Sequence, residues 1–261
     1  MAGERLTGHN EPDQTPKSTE PKTQLRADLA YLRDTYGLTV SMKRQTQEDD
    51  PIVKVEKIDL SEAFRAVRIL REEISKYPKK FIQICPIKTV RLVKSLSFDE
   101  EANGGLAAED GTIYIRTDLK TPDWAIRGII HHEIFHISDR IRVITPSMGD
   151  LIGKLIDMKQ IPVDATFNHN FYLGDLWKAA EPDPDYASVY ARKSMTEDRA
   201  ETAALLMSSP IRAFSRAVEN PVFGKKLDSV KTDFNIRSGG LMGKAYFTDL
   251  LKGMVQEGYW Q

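Results

Sequence analysis

A cluster of histidines constrains this chain more than any other feature of its sequence. Three of its five histidines lie in residues 131–136, with the sequence HHEIFH. His132 and His136 are four residues apart, so on an α-helix their side chains lie on one face, one turn apart. Thr121, followed by a proline, is a typical N-cap and predicts a helix that continues to about Arg142. Apolar residues on several sides predict that this helix is buried and central.

This spacing is typical of a metal site. Two imidazoles so placed can bind one tetrahedral metal ion at about 2.0–2.1 Å. Glu133 would project beside the ion, where its carboxylate can take a proton from water whose pKa zinc lowers toward roughly 7. The alternative is that His132 and His136 are satisfied by hydrogen bonds within the core. We favour the metal and predict one zinc ion (Zn²⁺) per chain, with Glu133 as the general base.

A catalytic zinc ion usually has three protein ligands, and the candidates for the third are Glu197, Glu201, Asp139 and His169. Glu197 and Glu201 lie one turn apart on a predicted helix, which is a rigid support. Spacing alone does not decide whether Glu197 is a ligand or an ordinary carboxylate at a helix start. Asp139 is only three residues beyond His136 and is predicted to be a hydrogen-bond partner near the site or a member of a surface ion pair. His169 stands in an irregular stretch that would hold a ligand poorly.

Two segments together resemble a known family. HHEIFHISD, followed by YASVYARKSMTEDRAETAALL, resembles the gluzincin-type zinc-binding metallopeptidases, which are related to the catalytic domain of lethal-factor toxin and to the Pro-Pro endopeptidases. In these families a tyrosine follows the histidine pair, a ligand glutamate comes seven residues later, and an Ala-Glu pair completes the pattern. Tyr190, Glu197 and Glu201 stand at those spacings.

The resemblance covers about residues 61–207 and implies a role for each motif residue. The zinc ligands that it implies are His132, His136 and Glu197. Glu133 would be the general base and proton shuttle, Tyr190 would donate a hydrogen bond to the oxyanion, and Glu201 would orient a ligand. The implied reaction is the attack of water on a peptide carbonyl, so the expected partner is a peptide or protein substrate.

The implied fold is α+β and zincin-like, mostly helical, with a small sheet packed over the active-site helix. Residues 1–24 are predicted to be a disordered polar tail. Residues 25–261 are predicted to form one metallopeptidase domain, with its cleft between an N-terminal lobe (to about residue 144) and a helical C-terminal lobe. The run TIYIR, Thr112–Arg116, is predicted to be a strand with one exposed edge, along which an extended substrate would pair.

Composition narrows the expected partners. Lys plus Arg is 37 and Asp plus Glu is 38, a net charge of -1 that gives no electrostatic case for nucleic acid or an anionic membrane. The single cysteine, Cys85, excludes an internal disulfide and is predicted to be a buried structural thiol. The first ten residues lack an apolar secretory segment, so we expect a cytoplasmic protein, or one exported without a cleavable signal. The sequence does not predict an oligomeric state.

The sequence also allows two other functions. One is a zinc hydrolase that acts on a non-peptide amide, and the other is a catalytically idle binding module that keeps the fold. The intact set of His132, Glu133, His136 and Glu197 argues against the idle module, because a non-catalytic site has no use for Glu133. We therefore predict a zinc-dependent endopeptidase.

Overall fold

The architecture is that of a computed structural model, which describes residues 20–42, 53–98, 101–141 and 183–256. Within these ranges the helices are α1 (Glu20–Tyr36), α2 (Leu60–Ser75), α3 (Lys79–Ile84), α4 (Asp123–Ser138), α5 (Met195–Ser208), α6 (Pro210–Glu219), α7 (Pro221–Arg237) and α8 (Lys244–Gln256). The strands are β1 (Thr39–Ser41), β2 (Val53–Lys57), β3 (Thr89–Phe98), β4 (Glu101–Ala102), β5 (Gly105–Ala107) and β6 (Thr112–Arg116). A short 3₁₀ turn, Tyr190–Lys193, precedes α5. The predicted mixture of many helices and one small sheet is confirmed.

The long strand β3 organises the sheet. Its first half pairs in parallel with β1 and β6, and its second half pairs antiparallel with β2 and β4. Strand β5 pairs antiparallel with β6, which gives the order β1-β3-β6-β5. Val90 and Ile113 belong to the same buried cluster as Ile129 and Ile130 of α4. The sheet therefore packs against the helix that carries the histidines.

The predicted substrate edge is wrong. Strand β6, Thr112–Arg116, is covered by β3 on one side and by β5 on the other. Tyr114 is buried like its neighbours Ile113 and Ile115, so both faces of the strand are covered. Alternation of residue types does not reveal strand order, which depends on pairing between distant segments. Among the described strands, β5 is the one at this end of the sheet.

Helix α4 is buried along most of its length. It lies between the sheet, α2 and α5, which confirms the prediction of a central helix. It ends at Ser138, about four residues before the predicted end, and Pro122 rather than Thr121 is its N-cap. The Thr121 hydroxyl instead donates a hydrogen bond to Asp118 at 3.1 Å.

One hydrophobic cluster extends from Leu32 in α1 to Phe247 in α8. Cys85 lies in this cluster, as predicted, and burial raises the pKa of its thiol to about 12. None of the helices in the described ranges is both long and apolar enough to cross a membrane.

Helix α1 overlaps the predicted polar tail by five residues, 20–24. Helix α1 begins at Glu20, within the segment assigned to the polar tail, so ordered structure starts before residue 25. Residues 1–19 lie outside the described ranges. Residues 142–182 also lie outside them, so the division into two lobes near residue 144 stays a prediction.

Candidate metal centre

Two helices and one turn place the predicted site residues together. Helix α4 carries both candidate histidines, and α5, which packs closely along it, carries both candidate glutamates. The small buried residues Ala200 and Ala203 of α5 belong to the core cluster that also includes α4. Small side chains let two helix backbones approach closely, and this explains how α5 brings short glutamate side chains to the histidines.

The cap of α5 fixes the start of the helix that holds Glu197. Ser194 is the N-cap, and its hydroxyl accepts a hydrogen bond from the Glu197 backbone N–H at 3.1 Å. A cap of this kind satisfies one of the unpaired amides at a helix start. Glu197 is thereby held in the first turn, and its carboxylate reaches toward α4.

Three potential ligand atoms converge in the interior. The Nε2 atoms of His132 and His136 are 2.9 Å apart, and Glu197 Oε2 lies 3.1 Å from the first and 3.5 Å from the second. Ligand atoms placed tetrahedrally at zinc distances are separated by about 3.3 Å, and the observed separations bracket that value. In the described part of the chain, this is the one group of three such residues that could hold a metal ion.

His132 is oriented by a second carboxylate. Its Nδ1–H donates a hydrogen bond to Glu201 Oε1 at 2.7 Å, so its Nε2 atom faces Glu197 and His136. Burial by itself lowers the pKa of His132, but the hydrogen bonds to Glu197 and Glu201 outweigh it and raise that pKa well above its usual value. The ring therefore sits where a positive charge is strongly favoured. Partner carboxylates of this type fix the tautomer of metal-binding histidines.

Glu197 is stabilised as a carboxylate. Burial alone would raise its pKa, whereas hydrogen bonds and charge interactions with His132 and His136 lower it well below the usual range. Glu197 is 3% exposed. A buried anion facing two imidazoles is the arrangement that a divalent cation would complete.

Glu133 lies beside this group without a comparable partner. Its side chain is buried, and its Oε2 atom has no hydrogen-bond partner among the residues that the structure describes. Burial raises the pKa of its carboxyl, although the rings of His132 and His136 oppose that rise. An unsatisfied buried carboxylate costs stability, so this one is better explained by a role toward a bound molecule than by packing.

Tyr190 stands on the 3₁₀ turn before α5 and is buried. Its ring centroid is 6.0 Å from that of His132, and Lys193 Nζ lies 4.6 Å from the centre of its ring. Burial and the nearby carboxylates of Glu197 and Glu133 raise the pKa of its hydroxyl. The phenol therefore stays protonated at neutral pH and is a hydrogen-bond donor.

Two other predicted residues have different placements. Asp139 caps α4, and the ion pairs of its carboxylate are with Arg237 and with Arg199, the latter at 3.5 Å. Arg199 of α5 and Arg237 of α7 thereby anchor the end of α4, in agreement with the ion-pair alternative for Asp139. A hydrogen bond from Asp139 to a metal ligand stays a prediction. His169 lies outside the described residues, as does His9 in the tail.

Comparisons of this chain with protein-family models, with characterised proteins and with solved structures found no match. The resemblance to the gluzincins therefore rests on the two motifs alone. The geometry brings together the residues that the motifs single out, and it supports a buried site that could bind a metal ion. The identity of the metal, the zincin-like fold and the reaction are proposals.

Sequence reasoning missed one residue of the site. Gly105 of β5 lies directly over Glu133: a Cβ atom added to it would be 2.5 Å from Glu133 Oε1. The only available signal was the Gly104-Gly105 pair just upstream of the TIYIR strand. A glycine pair more often marks a turn, so its contact with α4 could not be read from spacing.

Proposed function

We propose that this protein is a zinc-dependent endopeptidase of the gluzincin type. One observation carries the proposal. Three converging ligand atoms stand next to a buried glutamate, Glu133, that is not one of them and has an unsatisfied oxygen. A structural metal site needs only its ligands, whereas a hydrolytic site needs a base beside the metal.

The donor set fits zinc. His132, His136 and Glu197 supply two imidazole nitrogens and one carboxylate oxygen, a ligand set known from catalytic zinc sites that keep one position open. When bound there, zinc supplies Lewis acidity that polarises a carbonyl and lowers the pKa of water. Glu201 holds the His132 ring in the tautomer that directs Nε2 toward the other two ligands.

Glu133 and Tyr190 carry the remaining steps. The Glu133 carboxylate takes the proton from the attacking water and returns it to the leaving amine. Burial raises the pKa of this carboxyl, which makes it a stronger base than an exposed glutamate. The protonated Tyr190 hydroxyl donates a hydrogen bond to the oxygen that becomes negative in the transition state. Removing one such donor costs on the order of 10²–10³ in kcat.

The end strand β5 is the proposed docking strand for the substrate. Arg116 N–H donates to Gly104 O, and Ala108 N–H donates to Thr112 O, so these groups face β6. Because backbone groups alternate along an antiparallel pair, the peptide groups of Gly105 point away from β6. An extended substrate that pairs with Gly105 would lie next to Glu133. Arg140 donates to Ala107 O and limits this edge to a short segment.

The test is to measure the metal and the activity together. Protein purified without added metal is expected to contain about one zinc per chain and to cleave an unfolded protein. A chelator should abolish cleavage, and zinc should restore it. Glu133→Gln is the matched control, expected to keep its zinc and to lose turnover. A zinc-free preparation with full activity would refute the proposal.

The same experiment separates the rival functions. A bound zinc with no cleavage of any unfolded protein, but with hydrolysis of small amides, would indicate a non-peptide hydrolase. Zinc without hydrolysis of either substrate class would indicate a binding module. The substrate preference would then come from a proteome-derived peptide library digested by wild type and by Glu133→Gln in parallel.

A further inference from the structure

Position 105 requires glycine because there is no space for a side chain, not because of its backbone conformation. Gly37 and Gly111 have positive φ angles, at 75° and 91°, and so need glycine for their backbone. Gly105 is not among the glycines with positive φ and lies within a regular strand. Another residue could adopt its backbone conformation, so the demand for glycine comes from its surroundings.

Those surroundings are three atoms of α4. A Cβ atom on residue 105 would lie 2.5 Å from Glu133 Oε1, 2.7 Å from Ile129 Cγ2 and 2.9 Å from Glu133 Cγ. All three separations are shorter than real Cβ contacts. Two of the three atoms belong to the proposed general base.

Neither neighbour can move aside without cost. Ile129 is 2% exposed and belongs to the main core, where extra volume forces strained rotamers. The Glu133 carboxylate is buried and lies against β5. A side chain at position 105 would therefore push this carboxylate out of its present position.

We infer that Gly105 is a positioning residue that sets the orientation of the Glu133 carboxylate by letting the β5 backbone lie directly on it. The catalytic part of this inference rests on the proposed function. The same contact places the peptide groups of the docking strand beside the base, so one glycine sets the distance between substrate backbone and proton acceptor. An enlarged residue 105 would disturb the base and leave the metal ligands in place.

The first test is a double-mutant cycle on stability in the metal-free full-length chain. Gly105→Ala is expected to lower the unfolding midpoint by roughly 3–10 °C, the effect of overpacking a core. In the Glu133→Ala background two of the three close contacts are gone, so the same substitution should lower the midpoint by less than half as much. Rescue of a non-folding Gly105→Ala by Glu133→Ala would support the same conclusion. An equal loss in both backgrounds, including failure of both to fold, would overturn it.

The matched control is Gly128→Ala. Gly128 lies on α4 one residue before Ile129, and a Cβ atom there meets nothing within 4 Å. Alanine favours a helix over glycine, so this variant should fold at least as stably as wild type, with no dependence on residue 133. A midpoint drop in Gly128→Ala that matched Gly105→Ala would show that any added methyl on this helix has the same effect, and would overturn the inference.

The second test separates this inference from the proposed function. In zinc-loaded protein, Gly105→Ala should lower kcat by on the order of 10²-fold, the cost of a misplacement near 1 Å, with zinc content and KM unchanged. If wild type cleaves peptides and Gly105→Ala keeps the wild-type kcat, the inference fails and the proposed function stands. If wild type cleaves nothing while the stability cycle shows coupling, the proposed function fails and the role of Gly105 in placing Glu133 stands.

Discussion

Helix α4 presents two adjacent histidines to two different environments. His131 faces α2, where its Nε2–H donates to Glu73 at 2.6 Å and its Nδ1 accepts from the Tyr77 hydroxyl at 2.8 Å. His132 faces α5, where its Nε2 contacts Glu197 and its Nδ1 contacts Glu201. Consecutive residues on a helix point about 100° apart, so the two histidines meet different partners. Each side nevertheless combines a histidine with glutamate and a tyrosine, Tyr77 beside His131 and Tyr190 beside His132.

The His131 face consists of His131, Glu73 and Tyr77, and its hydrogen bonds and charges are all paired. Glu73 also receives Lys76 Nζ at 2.5 Å and Arg127, so its negative charge is balanced by permanent positive charges. Burial lowers the pKa of His131 and raises that of Tyr77, which leaves the ring neutral and the phenol protonated. Every polar group in this set has a partner, which is what a buried structural network requires.

The His132 face is organised differently. Glu197 and Glu201 pair with imidazole rings, which carry a full charge only when protonated. Glu133 adds a third buried carboxylate with an unsatisfied oxygen. On the His131 side of α4 these residue types form a network in which every charge and hydrogen bond is paired. On the His132 side they form a group of three buried carboxylates with an excess of negative charge. What separates a structural histidine from a candidate ligand is the supply of positive charge, not the histidine itself.

The largest expected difference between the two faces is between the alanine variants of Glu197 and Glu73. Glu197→Ala removes a proposed ligand, and since losing an outer partner already costs roughly 10–100-fold in metal affinity, we expect a loss beyond about 100-fold. Glu73→Ala should keep the zinc affinity but destabilise the fold by about 3–5 kcal/mol, because it leaves buried cations unpaired. Competition with a chromophoric chelator and chemical denaturation measure the two effects. Equal zinc affinity in both variants would refute the assignment of Glu197.

The two tyrosines provide a second matched pair. Tyr190→Phe should lower kcat by on the order of 10²–10³ with little change in KM or zinc content. Tyr77→Phe removes the hydrogen bond to His131 and should cost about 1–3 kcal/mol of stability without affecting turnover. Steady-state kinetics and thermal unfolding of both variants decide the point. A near-normal rate for Tyr190→Phe would make this residue a structural tyrosine like Tyr77.

Glu201 should show an intermediate effect. Because it orients the His132 ring, Glu201→Ala is expected to weaken zinc binding by roughly 10–100-fold. Glu201→Gln keeps a carbonyl oxygen that can accept from Nδ1–H, so it should lose less. Zinc affinities measured side by side test this order. If the glutamine variant loses as much as the alanine variant, the negative charge rather than the hydrogen bond is what Glu201 contributes.

Local patterns predicted the parts of the site that depend on a single helix. The four-residue spacing of His132 and His136 placed both rings on one face of α4, and apolar neighbours indicated that the helix is buried. These inferences needed no knowledge of distant contacts. The position of Glu197, 61 residues after His136 in the sequence, came from the family resemblance, because spacing alone left Glu201, Asp139 and His169 open.

Non-local contacts account for the failures. Arg199 and Arg237, from later helices, pair with Asp139, and spacing along the chain does not predict these partners. The TIYIR strand was expected at an edge. The Asp110-Gly111 turn predicts its pairing with β5, but β3, from an earlier segment, also covers its other side. The role of Gly105 depends on a strand lying across a helix. Each of these features is set by how segments pack, which a one-dimensional pattern does not contain.

The smallest expected effect is the pH dependence of the stability that Glu73 contributes. It tests whether the charges of the His131 face are balanced. Despite the opposing effect of burial, the hydrogen bond from His131 and the charge and hydrogen bond of Lys76 lower the pKa of Glu73 from its ordinary 4.5 to about 2. A folded-state pKa below the unfolded value means that the contribution to stability is present above pH 4.5 and is lost as the pH falls toward 2. The full contribution is about 3 kcal/mol at one pKa unit per 1.36 kcal/mol, but only about 1 kcal/mol of it is lost between pH 7 and pH 4.

Denaturation at several pH values therefore compares wild type with Glu73→Gln. The stability difference between the two should shrink by about 1 kcal/mol from pH 7 to pH 4, because glutamine does not titrate. Glu72→Gln is the control: its carboxylate pairs with the same Arg127 but is 44% exposed, and exposed pairs contribute at most about 1 kcal/mol. A difference between wild type and Glu73→Gln that stays constant from pH 7 to pH 4 would mean that Glu73 is not held ionised by its partners. The His131 face would then not be the balanced network that distinguishes it from the His132 face.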